Sequence, residues 1–329
     1  MSRVFVLGSG FSAPGGAPLT RNVLPRIFDG DNKDPQIQEL QAWLANTLFP
    51  KKPDWLTSVS FEEILSRLDL IKYYRPYPDI DYKELEYYEE LLLAGFTGLL
   101  PAEKNNANLQ LYQRFLDFLE SGDTIVSFNY DLVLETALKQ QNIDPDYMMP
   151  VECTPAYCDL NDKNPKLPVL KLHGSINLYF CPDCKRTYFF SHSFTQHPLP
   201  GEQRPVCTSC RDGSGVRPRL KHLVIAPTLF KSYSLPFIRR LWFLALDQLA
   251  KAGEIFFIGY SLPEEDILAY QLFDFAWQMA APKPKLTVVD GPRARLAGFR
   301  QIYGKALNNT GLYLEDWVLK RLRWRNAPS

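Results

Sequence analysis

Six short apolar runs, at residues 4–7, 124–127, 169–172, 223–226, 255–258 and 286–289, set the architecture open to this chain. They are mostly β-branched or aliphatic and are bounded by polar, Gly or Pro residues. Runs this short and this rich in apolar residues fit strands buried on both faces, as the interior strands of a parallel sheet are. Amphipathic stretches at 131–140, 236–251, 263–279 and 293–306 follow or separate them and read as helices. That alternation predicts an α/β fold built on an open, doubly wound, Rossmann-like parallel sheet.

Two segments interrupt the pattern within what reads as a single domain over residues 1–329. Residues 31–120 carry apolar side chains at helical spacing, among them Phe61, Ile64, Leu65, Leu68 and Ile71, and then Leu111, Phe115, Leu116 and Leu119. They predict a helical insertion whose apolar face is core rather than a partner groove. The apolar stretch 91–100 is too short for a bilayer and reads as a buried helix.

Residues 179–216 are rich in Pro, Gly and polar side chains and hold two C-x-x-C pairs, Cys181 with Cys184 and Cys207 with Cys210. A redox dithiol needs one such pair. Two of them fit a closed tetrahedral thiolate site, and a segment of this composition makes no core without its metal, so a small structural zinc ribbon is expected. His192, His197 and His222 are then not required as ligands, and Cys153 and Cys158 read as ordinary buried thiols. Residues 307–329 form a C-terminal element with a basic cluster at 320–325.

Lys plus Arg and Asp plus Glu balance at 37 each, so no global field draws nucleic acid or an anionic membrane. The first run begins at the N-terminus with no charged leader ahead of it, and a cytoplasmic protein is expected.

The chemistry-bearing residues fall just after the runs, where open α/β sheets bind ligands. After the first comes Gly8-Ser9-Gly10-Phe11-Ser12-Ala13, a G-x-G-x-x-[GA] turn that lets backbone approach a pyrophosphate. A Gly- and Pro-rich loop follows through Pro18 to Arg21, a cation suited to a phosphate or ribose. Asp29 and Asp31 read as turn residues rather than ribose ligands. Ser127-Phe128-Asn129-Tyr130-Asp131 ends the second run; its Asn and Asp either face the crevice or cap the next helix. His173-Gly174 ends the third, and a strand-end His can move protons near neutral pH. Gly259-Tyr260-Ser261-Leu262 and Asp290-Gly291-Pro292 end the last two.

In order and spacing these motifs resemble the sirtuin family, and more closely its divergent Sir2-like branch. The sirtuin pattern G-A-G-x-S-x-x-x-G-I-P-x-x-R is matched at Gly8, Gly10, Ser12, Gly16, Pro18 and Arg21. T-Q-N-x-D is matched by Ser127 to Asp131, H-G by His173-Gly174 with the first zinc pair eight residues on, R-P by Arg217-Pro218, and G-T-S-L by Gly259 to Leu262. The resemblance covers nearly the whole chain and implies a sirtuin-like fold that cleaves the nicotinamide–ribose bond of NAD+. By the same carry-over Asn129 sits by the nicotinamide ribose, Asp131 holds the carboxamide and His173 is the general base. Gly8, Ser9, Gly10, Phe11, Ser12, Pro18, Arg21, Gly259, Tyr260, Ser261 and Asp290 bind the rest of the dinucleotide, and Cys181, Cys184, Cys207 and Cys210 hold structural zinc.

Departures from the pattern fall on the peptide side. The F-G-E of protein-deacylating sirtuins is Ala226-Pro227-Thr228, the Gln of T-Q-N is Phe128, and the Asp-Phe before the motif's Arg is Leu19-Thr20. The resemblance therefore implies an NAD+ glycohydrolase that releases nicotinamide and ADP-ribose, of the kind that depletes NAD+ in bacterial antiphage defence. Such an effector works as a homo-oligomer or with a protein partner such as an ATPase or sensor. An NAD-dependent protein deacylase and a non-catalytic NAD or ADP-ribose sensor are the competing expectations.

Overall fold

The computed structural model describes residues 2–18, 22–29, 34–74, 81–100, 108–153, 158, 160–190, 205–225, 235–263 and 266–325. Among the described residues the strands are β1 (Arg3–Leu7), β2 (Thr124–Ser127), β3 (Asp144–Asp146), β4 (Glu152–Cys153), β5 (Lys166–Lys171), β6 (Gly174–Phe180), β7 (Thr187–Phe189), β8 (Lys221–Val224), β9 (Glu254–Ile258), β10 (Lys285–Val289) and β11 (Leu307–Asn309). Seven of them form one sheet in the order β11-β10-β9-β1-β2-β5-β3. Every pairing in it is parallel. The chain winds outward from β1 in one direction through β2 and in the other through β9, so the strand order reverses between β1 and β9. That reversal opens a crevice at the carboxyl ends of these strands.

Central strands carry the continuous burial expected of them: Val4 to Leu7 and Ile255 to Ile258 are all buried. The helices are α1 (Ser9–Ser12), α2 (Val23–Ile27), α3 (Pro35–Trp43), α4 (Trp55–Ser58), α5 (Phe61–Tyr74), α6 (Tyr82–Gly98), α7 (Leu109–Leu116), α8 (Val133–Gln140), α9 (Pro236–Lys251), α10 (Ile267–Met279), α11 (Ala297–Tyr303) and α12 (Leu314–Arg325). Helices α2 to α6 build a separate apolar cluster, with Leu40, Leu44, Ile64, Leu65, Leu68 and Leu92 at its centre, joined to the sheet side through Leu132 and Ile176. Among the described residues no helix is long and apolar enough to cross a membrane.

Two turns interlock at the point of reversal. A Cβ on Gly8 would lie 2.6 Å from the Gly259 carbonyl oxygen. Gly259 has φ +57°, and a Cβ there would come within 2.3 Å of the Gly10 carbonyl carbon and the Phe11 nitrogen. Gly259→Ala therefore combines overpacking with an unfavourable backbone and is expected to destabilise by about 3 kcal/mol, read from the denaturation midpoint.

Two sequence expectations are corrected. The run 223–226 is not an interior strand of the parallel sheet: β8 ends at Val224 and pairs antiparallel with β6 in a second sheet ordered β4-β7-β6-β8. The cause is Gly174, at φ +79°, where the chain turns out of the main sheet; a Cβ there would sit 1.8 Å from the Leu223 carbonyl oxygen, so only glycine admits β8 alongside. Cys153 and Cys158 are not buried thiols. They form a disulfide with Cα atoms 5.4 Å apart, and Cys153 lies exposed on β4 at the rim of the second sheet.

Candidate functional site

A cavity of 470 Å³ fills the crevice. Its floor comes from the strand ends, through Gly8, Ser9, Phe128 to Asp131, His173 and Gly259 to Ser261, and its roof from the helical cluster, through Phe61, Phe96 and Leu100. Pro18, Asp266 and Arg295 also line it.

The loop after β2 is fixed by a chain of hydrogen bonds. Asn129 Nδ2 donates to the Gly8 carbonyl at 2.8 Å and to Ser12 Oγ at 3.0 Å. Ser12 Oγ donates to Asp131 Oδ1 at 2.9 Å, which also accepts the Val133 N–H at 3.0 Å. Both Asn129 donors are thus committed inward, and its side chain offers the cavity an acceptor oxygen. Asp131 lines the cavity, and from one residue ahead of the Leu132 N-cap it also accepts the N–H of Val133, the first residue of α8. Its charge adds to burial, the larger cause, in pushing the Tyr112 phenol far above its ordinary range.

Beneath this loop Lys171, almost fully buried, donates to the Asp131 carbonyl at 2.7 Å and pairs with Glu135 at 3.0 Å. Burial holds the Glu135 carboxyl above its usual range, with the Lys171 charge opposing. The pair ties β5 to α8 under the two motif residues, a role for which breaking a buried pair is costly.

His173 is 7% exposed. Its ring meets Phe128 edge-on at 5.1 Å, with Tyr130 at 5.9 Å and Trp242 at 6.2 Å. Trp242 Nε1 donates to the Leu172 carbonyl at 3.0 Å and the Ile225 N–H to that of His173 at 2.8 Å, which anchors the backbone on either side of the ring. Nε2 lies 3.4 Å from Asp266 Oδ2. Phe128 also stacks on Tyr260 at 4.4 Å, giving one wall of the cavity an apolar, aromatic face.

The fold gathers Gly8, Ser9, Pro18, Asn129, Asp131, His173, Gly259, Tyr260 and Ser261 on one cavity. It sets Gly10, Phe11 and Ser12 behind them: Gly10 packs on Gly259, Phe11 is buried against Tyr112 and Phe115, and Ser12 supports Asn129. The N–H groups of Gly8, Gly10 and Phe11 bond to Ile258, Gly259 and Gly8 carbonyls, so of this turn Ser9 is the residue placed to offer its N–H outward. Asp290 does not line the cavity; its carboxylate accepts the Gly291 N–H at 2.8 Å. Leu19, Thr20, Arg21, Asp31, His192, His197 and Ala226 to Thr228 lie outside the described residues.

Among the cavity residues that escaped the sequence reading are Asp266 and Arg295. Asp266 sits in Pro263-Glu264-Glu265-Asp266, which reads as the acidic first turn of a helix from 263; the helix instead begins at Ile267. Arg295 stands in the segment read as helix from 293, whose first helical residue is Ala297.

Away from the cavity, the Sγ atoms of Cys181, Cys184, Cys207 and Cys210 lie within 4.8 Å of one another, with three contacts of 3.5 to 3.7 Å. Four thiolates at about 2.3 Å from one zinc ion stand roughly 3.8 Å apart, so the donor set fits a tetrahedral ion. Burial raises the Cys207 thiol, but the Tyr188 hydroxyl at 3.1 Å and the N–H groups of Ser209 and Cys210 outweigh it and bring it down to about 6. The four cysteines thus form a cluster able to hold a metal ion.

Among known proteins, the family model described as a SIR2-like domain matches residues 123–304. No curated protein matches the chain. Solved structures similar to it include a mutant Sir2 homologue in complex with 2'-O-acetyl ADP ribose, 15% identical over 100% of this chain and 94% of that one with TM-score 0.47. A Sir2, p53 peptide and NAD+ complex is 14% identical over 99% of this chain and 93% of that one, with TM-score 0.46. The matched segment spans more than half of the sequence and contains Asn129, Asp131, His173 and the four clustered cysteines, and the chain belongs to the SIR2-like domain family.

Proposed function

We propose that the chain is an NAD+ glycohydrolase, converting NAD+ and water to nicotinamide, ADP-ribose and a proton. The observation that carries this reading is the convergence of Asn129, Asp131 and His173 on one cavity at the strand-order reversal, under an apolar roof. Such a cavity buries a sugar and holds a base beside it, which supplies positioning and proton transfer for a bond whose cleavage develops oxocarbenium character.

In this mechanism His173 takes the proton from water or from a ribose hydroxyl. The Asn129 acceptor oxygen orients the attacking hydroxyl, since its two donors are held by Gly8 and Ser12. Asp131 holds the carboxamide, and Ser9, Ser261 and Arg295 bind the diphosphate and adenosine portion. Phe128 stands where the deacylase pattern has Gln and stacks on Tyr260, which supports water rather than a peptide's acyl group as the acceptor. The four cysteines hold structural zinc, a closed site that leaves no position for chemistry.

Incubation with NAD+, with and without an acetyl-lysine peptide, tests the reading by product identity. Free ADP-ribose in the absence of peptide is expected. An acyl-ADP-ribose ester formed only with peptide assigns the chain to the deacylases instead, and binding without turnover makes it a sensor.

A further inference from the structure

Asp266 lines the cavity without a place in the mechanism above, and its surroundings are those of a working group. It is the N-cap residue of α10, a 13-residue helix, where an Asp carboxylate normally accepts an N–H of the first turn. Here it makes no such bond. The carboxylate is turned to His173 instead, its Oδ2 being 3.4 Å from Nε2, with side-chain exposures of 3% and 8%. Backbone bonds fix the carrier: the Asp266 N–H donates to the Pro263 carbonyl at 3.0 Å and the Tyr270 N–H to the Asp266 carbonyl at 3.0 Å. A helix start has given up its own cap and presents a buried carboxylate to the imidazole.

We propose that Asp266 is the positioning residue of His173, fixing the orientation of the imidazole and strengthening it as a base by stabilising its protonated form. This deepens the glycohydrolase reading and rests on it for the role of the histidine. In a water-poor setting a carboxylate this close favours the imidazolium, and a second partner fixes which ring nitrogen faces the reaction. Among the described residues, the rings packed on the imidazole are those of Phe128, Tyr130 and Trp242. Phe128 and Trp242 carry no charge, and Tyr130 contributes a neutral phenol that donates to the Ile225 carbonyl. Asp131, from the loop after β2, is held by Ser12 and Val133. Lys171, on the strand leading to the histidine, is held by Glu135 and the Asp131 carbonyl. Glu62, Tyr260 and Arg295 line the same cavity from α5, the loop after β9 and the segment before α11. Glu264 and Glu265 lie outside the described residues.

The test is an NMR titration of His173, one of four histidines, assigned by the signal lost in His173→Gln. In the unaltered protein its midpoint is expected above the ordinary imidazole value of about 6.5. In Asp266→Asn it should fall by about one unit or more, with Asp266→Glu restoring part of the shift. In NAD+ turnover, Asp266→Asn should move the acid limb of kcat/KM down by the same amount and lower kcat about 10- to 100-fold, with KM little changed. A midpoint at or below the ordinary value in the unaltered protein, or one that Asp266→Asn leaves in place, overturns the proposal. Should the Asn variant fail to fold, the midpoint of the unaltered protein decides alone. A shifted midpoint in a protein that does not cleave NAD+ keeps the pair and sinks the glycohydrolase reading, so the two failures are separable.

Discussion

His173→Ala is expected to slow NAD+ cleavage by about 10²- to 10⁴-fold, the range over which a positioned general base contributes. The loss should fall on kcat, because the ring sits at one edge of the cavity while the glycine turn and Ser261 lie on its other strand ends. Truncation also removes a ring from among Phe128, Tyr130 and Trp242 and takes the imidazole from Asp266, so thermal melting must be recorded beside the rate. His173→Gln, which keeps bulk and a polar end but cannot take up a proton, should be nearly as inactive and more stable. Asn129→Ala should lower activity as well, and here stability falls with it because the bonds to Gly8 and Ser12 go together. Cleavage that survives His173→Ala would remove the histidine from the chemistry.

How much of this was legible in the sequence follows from what each segment had to satisfy. Strands β1, β2, β5, β9 and β10 lie inside the sheet, and at Val4 to Leu7, Ile125-Val126, Val169-Leu170, Ile255 to Ile258 and Val288-Val289 that burial is written as consecutive apolar residues. The edge strands β3 and β11 carry no such demand; their sequences, Asp-Pro-Asp and Leu-Asn-Asn, are polar, and a proline is tolerated at a sheet edge. Strand β8 is as apolar at Leu223 and Val224 as an interior strand, so its sequence could not say which sheet it joins. The deciding residue is Gly174, some fifty positions earlier, whose missing Cβ makes room for it. The site divides the same way. Asn129, Asp131 and His173 stand at strand ends, where position alone suggests contact with a ligand. Asp266 does not: local chemistry makes it a helix cap, and only the packing of α10 against the strand ends shows the carboxylate spent on the histidine. The disulfide of Cys153 and Cys158 was hidden because spacing does not tell a bridged pair from two thiols.

Stripping the proposed zinc from the four cysteines is the second perturbation with a large expected effect. The lobe that carries the cysteines has a small core of its own, Tyr179, Cys181, Tyr188, Phe190, Cys207 and Leu220, and two of those six belong to the cysteine cluster. With so little apolar surface, a metal held by the four cysteines would supply the lobe's folding energy, on the scale of 10 kcal/mol or more known for small zinc domains. A strong chelator, or Cys207→Ser, should therefore abolish hydrogen-exchange protection in β7 and in residues 205–221 while the seven-stranded sheet keeps its own. The consequence should reach the cavity through backbone. Strand β8 pairs with β6 and runs on to Ile225, whose N–H holds the His173 carbonyl at 2.8 Å and whose own carbonyl accepts the Tyr130 hydroxyl at 2.8 Å. Loosening the lobe frees both anchors, and NAD+ cleavage should fall about 10- to 100-fold with the main sheet intact. Elemental analysis should find about one zinc per chain before treatment and none after. Full protection and full activity in the metal-free protein would show that the four cysteines hold the lobe by some other means.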